Sequence, residues 1–347
     1  MTIRCLLGCA LALCVVQTAR ADTPRLDYRI VFANARHLEA QLESAGRDGF
    51  ACIAVARPDP GVVSPGIAVV LGRIAGGKNA AVPHRVVTGG YSGSELQESL
   101  DRAGADRFHL CGVVMDETTG GRIVAVLRQD ATTPPDTRYG VEVLTNYKAS
   151  LGRLAAAGKD GFVPVAATPV NNNRVPESRS WMVITERRDA AAREIAVRSG
   201  SGPGALEKAF NEQGKLGYQV DLIWQEGADV VAMLSRPAGD AKTAHTFTAE
   251  ARRPDQLHFL SGRYLGDFPY LSGGDRLVVS DTSQPASTDV EADPLPKLPA
   301  LGWVDSSTLG LLADHLGRHR GFGPAFVRLT GGPGGAIVMA TVLSQQP

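Results

Sequence analysis

Two histidines stand four residues apart in His315-Leu-Gly-Arg-His319. That spacing stacks two imidazoles on one helix face and suits a divalent metal. A metalloprotease would carry a glutamate directly after the first histidine. Leu316 stands there instead, and no third ligand can be named. His315 and His319 are therefore the only metal candidates, and no cofactor is expected. Nucleophilic catalysis needs a Ser, Cys or Thr beside a base. Gly200-Ser-Gly-Pro-Gly204 and Gly90-Tyr-Ser-Gly93 lack the order of a nucleophile elbow. Gly331-Gly-Pro-Gly-Gly335 has phosphate-loop glycines, but no Lys-Ser/Thr follows. Ala336-Ile-Val-Met-Ala340 continues as a strand, so the glycines read as a hairpin turn. Asp116-Glu117 falls in a turn, where paired acids read as a solvated tip. No catalytic or cofactor-binding residue is assigned.

The elements that would have to position such groups recur along the chain. Leu38-Glu-Ala-Gln-Leu42-Glu-Ser-Ala-Gly46-Arg-Asp-Gly49-Phe50 reads as a leucine-striped helix, two glycines and an aromatic that opens a strand. Leucines four apart share a helix face. The first glycine reads as a left-handed helix stop, and the second as the chain reversal. The pattern returns before Phe108, Phe162 and Tyr218, and more faintly before Phe268 and Phe322. Spacings of 58, 54, 56, 50 and 54 residues between these aromatics indicate an array. Arg107 occupies the second-glycine position of the second copy. Phe162 is expected beneath the helix that carries Leu154.

The expected units are 22–74, 84–130, 137–188, 191–237, a degenerate fifth at 244–281, and a degenerate sixth at 300–344. A flexible linker is expected at 282–299. The fifth unit should hold a helix from Asp255 to Leu265, and the sixth should open near Gly302-Trp303-Val304. Several third strands close on arginine, at Arg73, Arg128, Arg187 and Arg236. These read as solvated strand ends or, more sharply, as a row of anion contacts.

In 347 residues, 36 Lys and Arg balance 36 Asp and Glu, which argues against a general polyanion binder. Arg4, the apolar run Cys5–Val16 and Ala19-Arg20-Ala21 match a signal peptide over 1–21. Export to the periplasm or outside the cell follows, with no stable membrane insertion after removal. Cys5, Cys9 and Cys14 would leave with the signal, so Cys52 and Cys111 remain. An oxidising compartment suggests one disulfide. Strand parity argues otherwise: Cys52 lies two residues past its aromatic and Cys111 three, on opposite sides of their strands. The expectation is two unbonded thiols.

At these residues the chain resembles a small bacterial family of uncharacterised function. Its members carry a first strand, a leucine helix, Gly-x-x-Gly-Trp and a hairpin ending in Leu-x-Arg. Copies one, three and four match best, with Phe or Tyr in place of Trp. The resemblance implies a fold and brings no activity. The fold class is α+β, with about six tandem β-α-β-β units, mainly antiparallel sheets, and helices packed on one face. Such units would pair, form an array or close into a ring, as in the propeller of the pentein enzymes. Those enzymes commonly use a cysteine near the C-terminal end, whereas the last one here is Cys111. The favoured function is a non-catalytic binding or scaffold role in the cell envelope, with an envelope protein or small ligand as partner and no nucleic acid. The alternative is a hydrolase-like enzyme with a site between units.

Overall fold

The computed structural model describes residues 26–56, 66–77, 79–116, 120–129, 137–145, 147–171, 179–187, 191–239, 243–252, 263–269, 276–283, 289–291, 322–331 and 337–345. The His315/His319 pair, the expected signal peptide and the expected opening at Gly302 lie outside these residues.

The first sheet is built from β1 (Leu26–Ala33), β2 (Ala51–Ala56) and β3 (Ile67–Ile74), with helix α1 (Ala35–Arg47) between β1 and β2. The second has β4 (His84–Gly89), α2 (Ser94–Ala105), β5 (Phe108–Asp116) and β6 (Arg122–Gln129). The third has β7 (Arg138–Leu144), α3 (Tyr147–Lys159), β8 (Phe162–Asn171) and β9 (Arg179–Arg187). The fourth has β10 (Arg193–Gly200), α4 (Pro203–Gly214), β11 (Gln219–Glu226) and β12 (Asp229–Pro237). Then come β13 (Phe247–Arg252), β14 (Arg263–Pro269) and β15 (Arg276–Asp281), and finally β16 (Asp289–Glu291), β17 (Phe322–Gly331) and β18 (Ile337–Gln345). Among the described residues these make six three-stranded sheets, each with its third strand in the middle. All pairings are antiparallel. The fold is α+β.

Local chemistry explains the helices. Asn34 caps α1, its side chain accepting from the His37 N–H at 3.2 Å. Leu38 and Leu42 in α1, and Leu96 and Leu100 in α2, are fully buried. Helix α2 begins at Ser94, with Gly93 at the cap position at φ 78°.

The core lies between sheets. Each described helix packs on its own sheet and on the first strand of the next: α1 on β4, α2 on β7, α3 on β10, α4 on β13. Second strands meet directly, β2 with β5, β5 with β8, β8 with β11, and β11 with β14. The middle strands β3, β6, β9, β12 and β15 are buried on both faces. Ile123, Ala125 and Leu127 of β6 face α2 and the third sheet, while Val124 and Val126 face α1 and the first. A strand buried on both sides reads as a continuous apolar run, as in Ile123-Val-Ala-Val-Leu127.

Each second strand carries one bulge residue: Ile53, Cys111, Val165, Asp221, Leu265 and Ala325. In five sheets it falls three residues after Phe50, Phe108, Phe162, Tyr218 or Phe322. In the fifth sheet the same count back from Leu265 lands on Gly262, so Phe268 is not the register residue. Arg263 to Leu265 lie in β14, so the expected helix does not run to Leu265, and its other residues, 255–262, lie outside the described residues. The linker expected at 282–299 contains β16, the first strand of the last sheet.

The two glycines of the motif divide their work differently from expectation. Gly46, Gly104, Gly158 and Gly214 lie within their helices. The left-handed residues are the second glycines, Gly49, Gly161 and Gly217, with Arg107 at φ 63° in the second copy. The first glycines are points of close approach. A β-carbon on Gly46 would sit 2.1 Å from the Val82 carbonyl oxygen, on Gly104 2.0 Å from that of Thr137, and on Gly214 2.2 Å from that of His245.

Candidate functional site

The groups with chemistry gather where one sheet meets the next. Glu39 of α1 accepts from the Val86 N–H of β4 at 3.4 Å. Asp101 of α2 accepts from the Tyr139 N–H at 3.2 Å. Asn211 of α4 accepts from the Phe247 N–H at 2.7 Å and donates to the Phe247 carbonyl at 2.8 Å. Glu207 accepts from the Ala249 N–H at 3.3 Å. Glu39 and Glu207 lie seven residues before their helix glycines, Asp101 and Asn211 three before. These polar side chains occupy the open edge of the next strand, where an unpaired backbone would otherwise invite another chain. In α3 the same positions are Leu151 and Ala155. There the joint is apolar and includes Trp181 and Trp224, whose rings lie 5.5 Å apart.

Two of the third-strand arginines, Arg73 and Arg236, hold the loop that follows their helix. Arg73 lies 4.4 Å over the Phe50 ring and donates to the Asp48 carbonyl at 3.0 Å. Arg236 lies 4.8 Å over Tyr218, donates to the Leu216 carbonyl at 2.6 Å and pairs with Glu194 at 2.7 Å. Each of these two accepting carbonyls lies two residues before its aromatic. In the second sheet Gln129 makes that bond, to the Asp106 carbonyl at 3.1 Å. Arg85 stacks on Phe108 there, at 4.3 Å. Hydrogen bonding from Arg236, and then from Tyr218, holds the Glu194 carboxyl below its usual range. Burial, then the Glu194 carboxylate, pushes the Tyr218 phenol up. Arg73 and Arg236 are thus engaged with the protein and do not stand as bare anion contacts.

Between the first and second sheets, Cys52 and Cys111 form a disulfide with a Cα–Cα distance of 6.2 Å. The parity expectation of two free thiols is overturned. In a stack of like sheets, the forward face of one meets the rear face of the next. Opposite parity is therefore what a bridge between neighbouring sheets requires. Cys52 is 1% exposed, and Cys111 is half-buried at its bulge. The Cys52 N–H donates to His84 Nε2 at 3.1 Å. Arg128 donates to the Cys52 carbonyl and, at 2.7 Å, to His109 Nε2. Burial, aided by the Arg128 charge, lowers the His84 pKa to about 4.

A second cluster lies in the fifth sheet, where the His245 N–H also donates to the Gly214 carbonyl of α4 at 3.0 Å. His245 Nδ1 lies 2.8 Å from Asp281 Oδ2, with both side chains buried. Ser283 Oγ donates to Asp281 Oδ1 at 2.5 Å and lies 3.3 Å from the same His245 Nδ1. A serine triad places the acid on one imidazole nitrogen and the nucleophile on the other. Here both meet Nδ1, so no proton relay runs from Ser283 through the ring to Asp281. The cluster instead ties the start of β13 to the end of β15.

A cleft of about 320 Å³ lies beside Asp101, Ala105, Thr137 and Arg138. Among the described residues no group of three metal-ligating side chains converges, and no described helix is long and apolar enough to cross a membrane. Sequence reasoning missed His84 and His245. The usable signal was positional. Measured from the helix glycine contacts, His84, Tyr139, Ile195 and Phe247 are counterparts, and only one of these four is a histidine. No family model, curated protein or solved structure matches the chain.

Proposed function

We propose that the chain is an exported protein of six tandem β-α-β-β units, curved toward a ring, that binds a partner or small ligand in the cell envelope without catalysing a reaction. The curvature is supported by the wedge shape of each joint. A helix fills the outer side of the gap, while second strands meet directly on the inner side. It is further supported by β17 lying against β2, which brings the last sheet to the first. The resemblance to small bacterial β-α-β-β domains belongs to the same reading.

The observation that carries a binding role is where the reactive side chains go. Histidines, carboxylates and arginines are spent on strand edges, loop carbonyls and sheet joints, as His84, Asp101, Asn211, Arg236 and His245 illustrate. Stacked units offer long surfaces to partners. Ile74 and Leu216 are large apolar side chains each 49% exposed. A photo-crosslinking residue at either position, in the protein expressed in its native envelope, should give a discrete adduct. An active-site-directed fluorophosphonate should leave the purified protein unlabelled. Stoichiometric labelling with turnover of an ester or peptide substrate would favour the hydrolase alternative instead.

A further inference from the structure

The joint between the first and second sheets is the one described joint closed by a covalent bond, and its neighbours show that the position does not need one. Cys52 immediately precedes the bulge residue of its strand, and Cys111 is the bulge residue of the next. The corresponding residues one joint further on are Leu110 and Val165, which pack against one common apolar core. Between the fourth and fifth sheets they are Val220 and Leu265, again in one core. The same joint geometry is thus held elsewhere by apolar contact alone. The two cysteines also differ in access: Cys52 is 1% exposed, whereas Cys111 is half-buried. The guanidinium of Arg128 sits on the Cys52 carbonyl, placing positive charge beside the buried cysteine.

We propose that the Cys52–Cys111 bridge is a reducible clasp on this joint, opened from the Cys111 side by a dithiol reductant. A reductant thiolate attacks Cys111 Sγ, the protein S–S bond breaks, and Cys52 departs as a thiolate that takes a proton from solvent. The second thiol of the reductant, as thiolate, then attacks the mixed disulfide. Cys111 is released as a thiol, and the reductant leaves as its own cyclic disulfide. Two electrons pass from the reductant to the bridge. A positive neighbour favours the departing thiolate at Cys52, and exchange proceeds through the more accessible sulfur. The opened joint keeps its fold, because Phe50, Val69, Leu71 and Val124 remain packed around it. What it loses is the tether between β2 and β5.

The full-length mature protein is treated with dithiothreitol under native conditions and followed by thiol alkylation and hydrogen exchange. With limiting β-mercaptoethanol, a monothiol, acid quenching should trap the adduct on Cys111 and leave Cys52 as the cysteine that alkylates. Peptides covering 51–56 and 108–116 should lose protection, while those covering 219–226 keep theirs. A Cys52→Leu/Cys111→Val double variant, copying the Leu110/Val165 joint, should fold and should show no response to the reductant. Three results would overturn the proposal: global unfolding on reduction, the mercaptoethanol adduct on Cys52 instead of Cys111, or unchanged exchange at the first joint once both thiols are free. A folded double variant keeps the test valid if either single cysteine variant fails to fold.

Discussion

Gly46 and Val82 meet backbone to backbone: the Val82 N–H donates to the Gly46 carbonyl at 2.9 Å, and a β-carbon on Gly46 would lie 2.1 Å from the Val82 oxygen. Helix α1 can receive the chain leading into β4 only because that β-carbon is missing. Gly214 stands in the same relation to His245, with the N–H of His245 donating to its carbonyl at 3.0 Å.

Gly46→Ala and Gly104→Ala should each cost about 2–3 kcal/mol, since the opposing atoms are backbone and cannot rotate away. Gly152 supplies the control. It lies inside α3 with nothing near its missing β-carbon, so Gly152→Ala should gain about 0.5–1 kcal/mol from helix propensity. Urea denaturation of the three variants checks both signs.

Arg107 holds φ 63° where Gly49, Gly161 and Gly217 stand at the matching positions of the first, third and fourth sheets. The left-handed conformation costs an L-residue about 1–2 kcal/mol. Part of that is returned by the greater freedom of glycine in the unfolded chain. Arg107→Gly should therefore raise stability by about 0.5–1 kcal/mol, measured as a shift of the denaturation midpoint at unchanged slope. Gly161→Ala should move it the other way.

His84 makes the first joint sensitive to acid. Its pKa falls from 6.5 to about 4 on folding, through burial and then the Arg128 charge. The unfolded chain then binds the proton more readily than the folded one. The stability from a neutral His84 is fully present above about pH 6.5 and drains away as pH falls towards 4, by about 3 kcal/mol in all. Unfolding free energy measured across that range should fall with a slope approaching one proton. His84→Gln should flatten this part of the curve. An unchanged slope in the variant would assign the acid sensitivity to other groups.

Much of this architecture is written locally. Leu38 and Leu42 name a helix face, Asp116 to Gly121 names a hairpin, and Phe50, Phe108, Phe162 and Tyr218 keep the register. What local pattern does not carry is the partner across the joint. The first glycines looked like helix stops because their reason, the carbonyls of Val82, Thr137 and His245, lies just before the first strand of the next sheet. Glu39, Asp101 and Asn211 carry no local signal of their role because the strand edges they serve are far along the chain. The cysteine parity argument treated the sheets as isolated. Stacking reverses its conclusion. Phe162 was expected to be clamped like its counterparts, yet it is half-buried while Phe50, Phe108 and Tyr218 are buried. It lies near Gly140, which brings no side chain to cover the ring. In the fifth unit the bulge keeps a register that the aromatic at Phe268 does not mark.

The central claim is that the cores lie between sheets, and Phe210 tests it most directly. It is fully buried in α4 and meets Phe247 of the fifth sheet edge-on, with ring centroids 5.9 Å apart. Phe210→Ala should cost about 3–5 kcal/mol. Hydrogen exchange by mass spectrometry on this variant, still folded, should show protection falling on both sides of the joint, over 203–237 and over 247–252 and 276–281. The helix at 35–47 and the strand at 67–74 should keep theirs. Protection lost only within 193–237 would place the core inside a single unit, and an even loss along the whole chain would mean one cooperative body; either result would contradict the account.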